Sequence, residues 1–406
     1  MKIGVASPFM PHQVADHLDA ASNARLTAIR GVSAAQTTAL VRGWLRQGHQ
    51  VCVFCLDPSV ATIQELRGDQ LSIHVLPKRR ARYYLPDFYR TERRLIREAI
   101  RRERPDVISA QWTYEHALGA LECGIPTAVT CQDTPLRYAW TSKHWFTTYH
   151  LLVAWRVIRR ANRLVCVSPD TARHVQTFFR PRCPVDVVPN GIMPEVFGRG
   201  ERRLQQAGAR PVPFTLCSIG GWGKIKNNAV LLKAFSTVRR RYPSARLALF
   251  GREVGPEQAA EQWARRRHLH EGVVFKGSTP YEKILDFLET EADLMVHPSL
   301  VEANPMVLME AMACGVPVVA GRNSGGVAWT LDDGRCGFLC DIRDPRELAE
   351  TILQAMAQPD QNQSLVQRAF DFARKHFSGE LVVNANEAIL QQLLTASSGT
   401  PKQERV

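Results

Sequence analysis

The chain has 406 residues, 45% of them apolar and 22% charged, and a formal net charge of +13. A single core stops growing well below that length, so two domains of roughly 200 residues are expected, with the composition of an ordinary soluble globular protein. No run reaches the ~18 apolar residues of a membrane-spanning helix, and the longest candidate, LLVAWRVI, is broken by Arg156; the chain reads as one that does not span a membrane.

The first residues, MKIGVASPFMP, hold a short apolar stretch and no cleavage-site pattern. They read as a first β-strand rather than a signal peptide, and a cytoplasmic location is expected. Of the ten cysteines only Cys52 and Cys55 have CxxC spacing, inside VCVFCL, and no second pair completes a zinc site. Buried thiols without a metal are expected. The charge is uneven: residues 1–200 carry 27 Lys and Arg against 16 Asp and Glu, whereas residues 201–406 carry 25 against 23. A basic first half beside a neutral second half points to an anionic partner, a phospholipid surface or a pyrophosphate-linked lipid. Nucleic acid is not expected, because no binding motif accompanies the charge. Solvated basic helix faces are the alternative.

Strand-like and helical stretches alternate along the chain. KIGVAS, QVCVFCL, LSIHVLP, DVISAQ, PTAVTCQ, RLVCVS and VDVVPN are the predicted strands of the first half, with helices such as AAQTTALVRGWLRQGH and YRTERRLIREAIRRERP between them. FTLCSIG, RLALFG, VVFKG, LMVHPS, PVVAG and GFLCD continue the rhythm in the second half, separated by helices such as AVLLKAFSTVRRRYP and MVLMEAMACG. The alternation predicts an α/β fold of two Rossmann-like doubly wound domains, each a parallel sheet with right-handed crossovers. The first domain is expected over 1–198, a polar linker over 199–213, the second domain over 214–376, an amphipathic C-terminal helix over 377–395 and a disordered tail over 396–406. Such domains bind ligands at the carboxyl ends of their strands, and a tandem pair can face those ends across one cleft.

No GxGxxG follows the first strand, which removes nicotinamide and flavin enzymes. Gly31, Val32 and Ser33 form a small-residue loop with Ser33 as a helix N-cap; it is either a place of close ligand approach or a simple turn. In LCSIGGWGKIKN, Gly220, Gly221 and Gly223 lie just past a strand, and Lys224 and Lys226 follow. A lysine there either reaches back to a phosphate as a point charge or faces solvent.

The segment HPSLVEANPMVLMEAMACG is the most informative. Asn304 is a favoured N-cap and Pro305 suits a first helical turn, so a helix is expected from there to Gly315. The amides of residues 303–307 would stand at a positive helix end, a ready place for a diphosphate. Carboxylates beside a diphosphate repel it, so Glu302 and Glu310, on either side of that helix start, need another task. An ionised carboxylate only accepts hydrogen bonds and can take two sugar hydroxyls. Two sugar rings flanking a diphosphate describe a nucleotide sugar.

With these motifs in this order, and with SPFMP, VVPNGI, ALFGRE, NSGGV and DDGRCGFLCD around them, the chain resembles the retaining glycosyltransferases of the GT-B fold with two glutamates eight residues apart, the E-x7-E group (glycosyltransferase family 4, glycosyl transferases group 1). The resemblance covers nearly the whole chain. It implies that Glu310 holds the donor's ribose hydroxyls, Glu302 those of the transferred sugar, and Lys226 and the amides of Ala303, Asn304, Met306 and Val307 around Pro305 the diphosphate. Gly31 would touch the donor, and Gly251 and Arg252 would lie near the nucleoside. No metal is needed, because the lysine and the helix end neutralise the departing phosphate. Gly221 stands where the family has an arginine beside Lys226, a charge that Lys224, Arg252 or Arg322 would have to supply. Gln132 stands where the family has a histidine near the reacting carbon, and Asp133 beside it is placed to orient the acceptor. The C-terminal helix is expected to cross back to the first domain.

The implied activity is transfer from a nucleotide sugar, with UDP favoured over GDP, to a glycan or lipid-linked acceptor in cell-surface polysaccharide or glycolipid assembly. The basic, aromatic segment 138–163, with Trp140, Trp145, Phe146, Tyr149 and Trp155, suggests attachment to an anionic membrane surface, against the alternative of a core helix with a basic outer face. A sugar-nucleotide epimerase and an inactive homologue that binds a glycan or a partner remain as other readings.

Overall fold

Runs such as Val51-Cys-Val-Phe-Cys and Val318-Val319 are too β-branched and apolar to stay in solvent, and in the computed structural model, which describes residues 1–32, 34–206 and 214–398, they become the buried middle strands of two sheets. The chain divides into two units. The first comprises Met1–Ala139, Lys143–Gly191 and Gly379–Val406, and the second Trp140–Ser142 and Ile192–Ser378.

The sheet of the first unit contains β1 (Lys2–Ala6), β2 (Gln50–Asp57), β3 (Gln64–Arg67), β4 (Leu71–Pro77), β5 (Val107–Gln111), β6 (Thr127–Cys131), β7 (Arg163–Cys166) and β8 (Val185–Val187), in the order β3-β4-β2-β1-β5-β6-β7-β8. All neighbours are parallel except β3, which pairs antiparallel with β4 at the edge. The second unit contains β9 (Thr215–Ile219), β10 (Arg246–Phe250), β11 (Val273–Gly277), β12 (Leu294–His297), β13 (Val318–Gly321) and β14 (Phe338–Cys340), in the fully parallel order β11-β10-β9-β12-β13-β14. Both are doubly wound, as the alternation predicts. Strand order reverses between β1 and β5 in the first and between β9 and β12 in the second, and ligands bind such sheets at the carboxyl ends beside the reversal.

The C-terminal helix, Gly379–Ser398, belongs to the first unit. Val382, Val383, Leu390 and Leu393 join Ile3, Val5, Leu40 and Trp44 in one core, each burial contributing about 1.5–3 kcal/mol. Cys52 and Cys55 are buried thiols on β2.

Two expectations need correction. Residues 199–205 are not linker: they continue the helix Pro194–Gln205 of the second unit, because Val196 and Phe197 are buried and Arg199 and Arg202 both pair with Glu289. The rest of the expected linker, residues 207–213, lies outside the described residues, as do residues 399–406 of the expected tail. The first domain also ends earlier than residue 198, at Gly191. Ser33, expected as an N-cap, lies outside the described residues, and the following helix, Ala35–Arg46, has Ala34 at its cap without a side-chain bond.

Candidate functional site

In the second unit the loops after β9 and β12 leave the sheet side by side at the reversal of strand order, and the amide of Leu300 bonds the carbonyl of Ile225 at 2.8 Å. That stitch brings Lys226 of one loop to Glu302 of the other. Lys226 Nζ donates to Glu302 Oε1 at 2.5 Å. His297, the last residue of β12, places Nε2 at 3.1 Å from the same oxygen. An ionised carboxylate can only accept, so the His297 proton sits on Nε2. The lysine and the histidine hold the Glu302 carboxyl far below the ordinary range, against the cost of its burial. Its backbone is fixed as well: the amide bonds Ser324 O at 3.2 Å and the carbonyl accepts from Gly326 at 2.9 Å, so the NSGGV segment carries Glu302 like a short strand partner. Both donors sit on Oε1. Oε2 has no partner among the described residues, and the side chain keeps 14% of its surface exposed.

Eight residues on, Glu310 meets the opposite environment. It lies in the helix Met306–Ala313, is 4% exposed, and accepts at Oε1 from the Tyr281 hydroxyl at 3.0 Å. Burial pushes its carboxyl up to about 7, with the Tyr281 hydrogen bond pulling weakly the other way.

The helix between them starts one residue later than expected. Pro305, not Asn304, occupies the cap, because the Asn304 side chain turns inward to donate to Thr330 Oγ1 at 3.2 Å and Met309 Sδ at 3.3 Å. The first helical bond is Leu308 N–H to Pro305 O, at 3.1 Å, so the amides of Met306 and Val307 precede it and form the positive helix end. Ala303 is buried just before this turn.

Gly221, Gly251 and Arg252 meet at the neighbouring strand ends. The Trp222 amide bonds Arg252 O at 2.9 Å, and a Cβ on Gly251, whose φ is +132°, would come within 2.7 Å of the Gly220 carbonyl carbon. A Cβ on Gly221 would stand 3.1 Å from Arg252 O. Lys224 and Arg252 are exposed, whereas Arg322, one of the three proposed substitutes for the family's arginine, is engaged with Leu339 O and Glu347.

The first unit holds the remaining expected residues. Gln132, just past β6, donates to Gln111 Oε1 at 3.2 Å, and both line a cavity of about 10 Å³ with Thr130 and Asn190, room for one water. Asp133 Oδ2 accepts from the Tyr114 hydroxyl at 2.6 Å, while Oδ1 is shielded from solvent and has no partner among the described residues. Burial pushes this carboxyl up to about 6. Gly31 has φ +69° and donates its amide to Asp57 Oδ2 at 2.6 Å, with a Cβ excluded by Met10 Cα at 2.9 Å. Its amide is therefore already occupied.

Sequence reasoning missed His297, Tyr281 and Tyr114. Only His297 left a signal, five residues before Glu302 at a strand end.

A doubly wound sheet with a lysine–carboxylate pair and a helix start gathered at its strand reversal defines an α/β protein with a charged candidate site at that place. Residues 33–196 match the family model Glycosyltransferase Family 4 and residues 201–372 the model Glycosyl transferases group 1, and the chain belongs to this family of GT-B glycosyltransferases. It is 27% identical over 240 residues to the N-acetyl-alpha-D-glucosaminyl L-malate synthase of Bacillus anthracis, across 58% of this chain and 61% of that one. Matches to two further curated relatives span 49% and 50% of their length. In fold it is similar to the sucrose-phosphate synthase from Thermosynechococcus elongatus (TM-score 0.76, 16% identity, 98% of this chain and 100% of that one). The Anabaena protein HepE in complex with UDP and glucose is also similar (TM-score 0.69, 16% identity, 97% and 100%).

Proposed function

We propose that the chain transfers a sugar from a nucleoside-diphosphate sugar, preferably UDP-linked, to a glycan or lipid-linked acceptor, with retention of anomeric configuration and without a metal. The observation that carries this is Glu302: a carboxylate held ionised by Lys226 and His297 with one oxygen left open, directly before a helix start. In this reading Glu302 Oε2 accepts hydroxyls of the transferred sugar, Glu310 accepts those of the ribose, and Lys226 with the Met306 and Val307 amides neutralises the diphosphate. As the bond from the anomeric carbon to the phosphate oxygen breaks, charge grows on that oxygen; the fixed positive groups stabilise it more than the ground state. The acceptor oxygen bonds to the same face of the sugar and its proton passes to the leaving phosphate. The family resemblance assigns Gly251 and Arg252 of the second unit to the rest of the donor, and Gly31, Gln132 and Asp133 of the first unit to the roles it implies for them. UDP is favoured because the similarly folded Anabaena protein is in complex with it. The acceptor belongs to cell-surface polysaccharide or glycolipid assembly, on the cytoplasmic side.

Among the described residues no helix is long and apolar enough to cross a membrane. Crowding at Gly221, where the family has an arginine, favours a second reading, a catalytically inactive homologue that binds a glycan or a partner. Incubation with UDP-, GDP- and ADP-sugars and no acceptor decides: slow release of nucleoside diphosphate, abolished in Lys226→Ala, supports the transferase. Thermal protection by the donor without any release supports the binding protein. Release of an isomerised sugar nucleotide in place of the free sugar would instead mark an epimerase.

A further inference from the structure

The helix Trp145–Ile158 buries Val153, Ala154, Val157 and Ile158 in the first unit. Its opposite face is not polar: Trp145 is 63%, Leu152 56% and Trp155 53% exposed. Spaced seven and three residues apart, they share one side of the helix with Arg156. No Asp or Glu occurs between residues 134 and 169. Arg137 and Arg163 are taken up by Asp170 and Asp186, so the charge around this face comes from Lys143, Arg156, Arg159 and Arg160, with Arg159 lying over the Trp155 ring at 5.9 Å. The segment 81–90 packs against the same helix through Phe88 on Tyr149, at 5.2 Å, and the Tyr89 hydroxyl on His150, at 3.0 Å. It adds exposed Arg82 and Tyr83, with Arg82 over the Tyr83 ring, and exposed Arg80 directly precedes it.

We propose that this face is a docking surface for an anionic phospholipid membrane, entered by Trp145, Leu152 and Trp155 and held by the flanking arginines. Indole rings favour the headgroup boundary, an apolar helix face embeds there in the plane of the surface, and each nearby arginine is drawn to anionic lipid. A second copy of the chain is a poor occupant, because symmetric pairing would set the arginines and lysine of this face against themselves. The inference goes beyond the transferase reading and does not depend on it.

The test is flotation of the full chain with phosphatidylcholine vesicles, with and without phosphatidylglycerol, at low and high salt. The surface predicts binding to the phosphatidylglycerol vesicles at low salt, a blue shift of tryptophan emission on binding, and release at high salt. Trp145→Ser with Leu152→Ser and Trp155→Ser should lower the bound fraction about tenfold, with an unchanged melting curve and unchanged nucleoside diphosphate release. Arg156→Glu with Arg160→Glu should do the same through charge alone. Equal binding of phosphatidylcholine vesicles, wild-type binding by the serine variant, or a variant that only dissolves a dimer without affecting vesicles would overturn the proposal.

Discussion

Glu302 and Glu310 stand eight residues apart around one helix start, yet the fold treats them in opposite ways. Glu302 has the Lys226 ammonium and a His297 hydrogen bond on one oxygen and stays ionised. Glu310 is buried, accepts from the Tyr281 hydroxyl, and is pushed up to about 7. The difference separates a carboxylate kept ionised by its neighbours from one whose burial weighs on the fold. A buried acid without a cation is costly, and a ligand that supplies two hydroxyl donors would relieve that cost.

The largest effect should come from the charged side of the comparison. Lys226→Ala removes the cation proposed to face the diphosphate and takes one of the two donors from Glu302; transfer, followed by product formation from a UDP-sugar, should fall by about 10²–10³. Survival of near-full activity would place the phosphate elsewhere.

Glu310→Gln should act in the opposite sense on stability. The folded state keeps the Glu310 proton up to about pH 7, whereas the unfolded carboxyl loses it near 4.3. Between those values the folded chain binds more protons, so this residue's contribution to stability falls as pH rises through the window and stays low above it. The glutamine variant should therefore be more stable than wild type at pH 8, by up to about 3 kcal/mol, with the gain shrinking towards pH 5 in denaturant titrations at both values.

The same ionisation gives nucleotide binding a pH dependence. Where the bound state needs the carboxylate, affinity should drop as pH falls below about 7. Binding at pH 6.5 should then release a proton, seen as a buffer-dependent heat in calorimetry, and the Glu310→Gln variant should show neither.

Tyr281→Phe is the smallest perturbation. The Tyr281 hydrogen bond pulls the Glu310 carboxyl down, so its loss should move the midpoint of that pH dependence upward at a cost of about 0.5–1.5 kcal/mol. A downward move would show that the hydroxyl serves another partner.

Much of this was legible in the sequence. Strands such as VCVFCL and LMVHPS announce themselves because β-branched apolar runs have no other home. The exception, β3, is QELR, a polar four-residue edge strand paired on one side only. GRGERRLQQ reads as linker because its arginines look solvated, and their partner Glu289 lies about ninety residues away in sequence. In the site, glutamate spacing and Lys226 could be read directly. The contrast between the glutamates could not, since it depends on His297 ending a strand beside Glu302 and on Tyr281 arriving from a separate helix. Asn304 misleads for a related reason: its capping chemistry is sound, but Thr330 offers its side chain a buried alternative.

The most direct test is calorimetric titration of UDP into wild type, Glu302→Gln and Glu310→Gln at pH 8, beside transfer rates for all three. The division of labour predicts that Glu310→Gln weakens UDP binding about tenfold, roughly 1.4 kcal/mol. Glu302→Gln should bind UDP at least as well as wild type while losing transfer. Weakened UDP binding in Glu302→Gln with unchanged binding in Glu310→Gln would contradict the account.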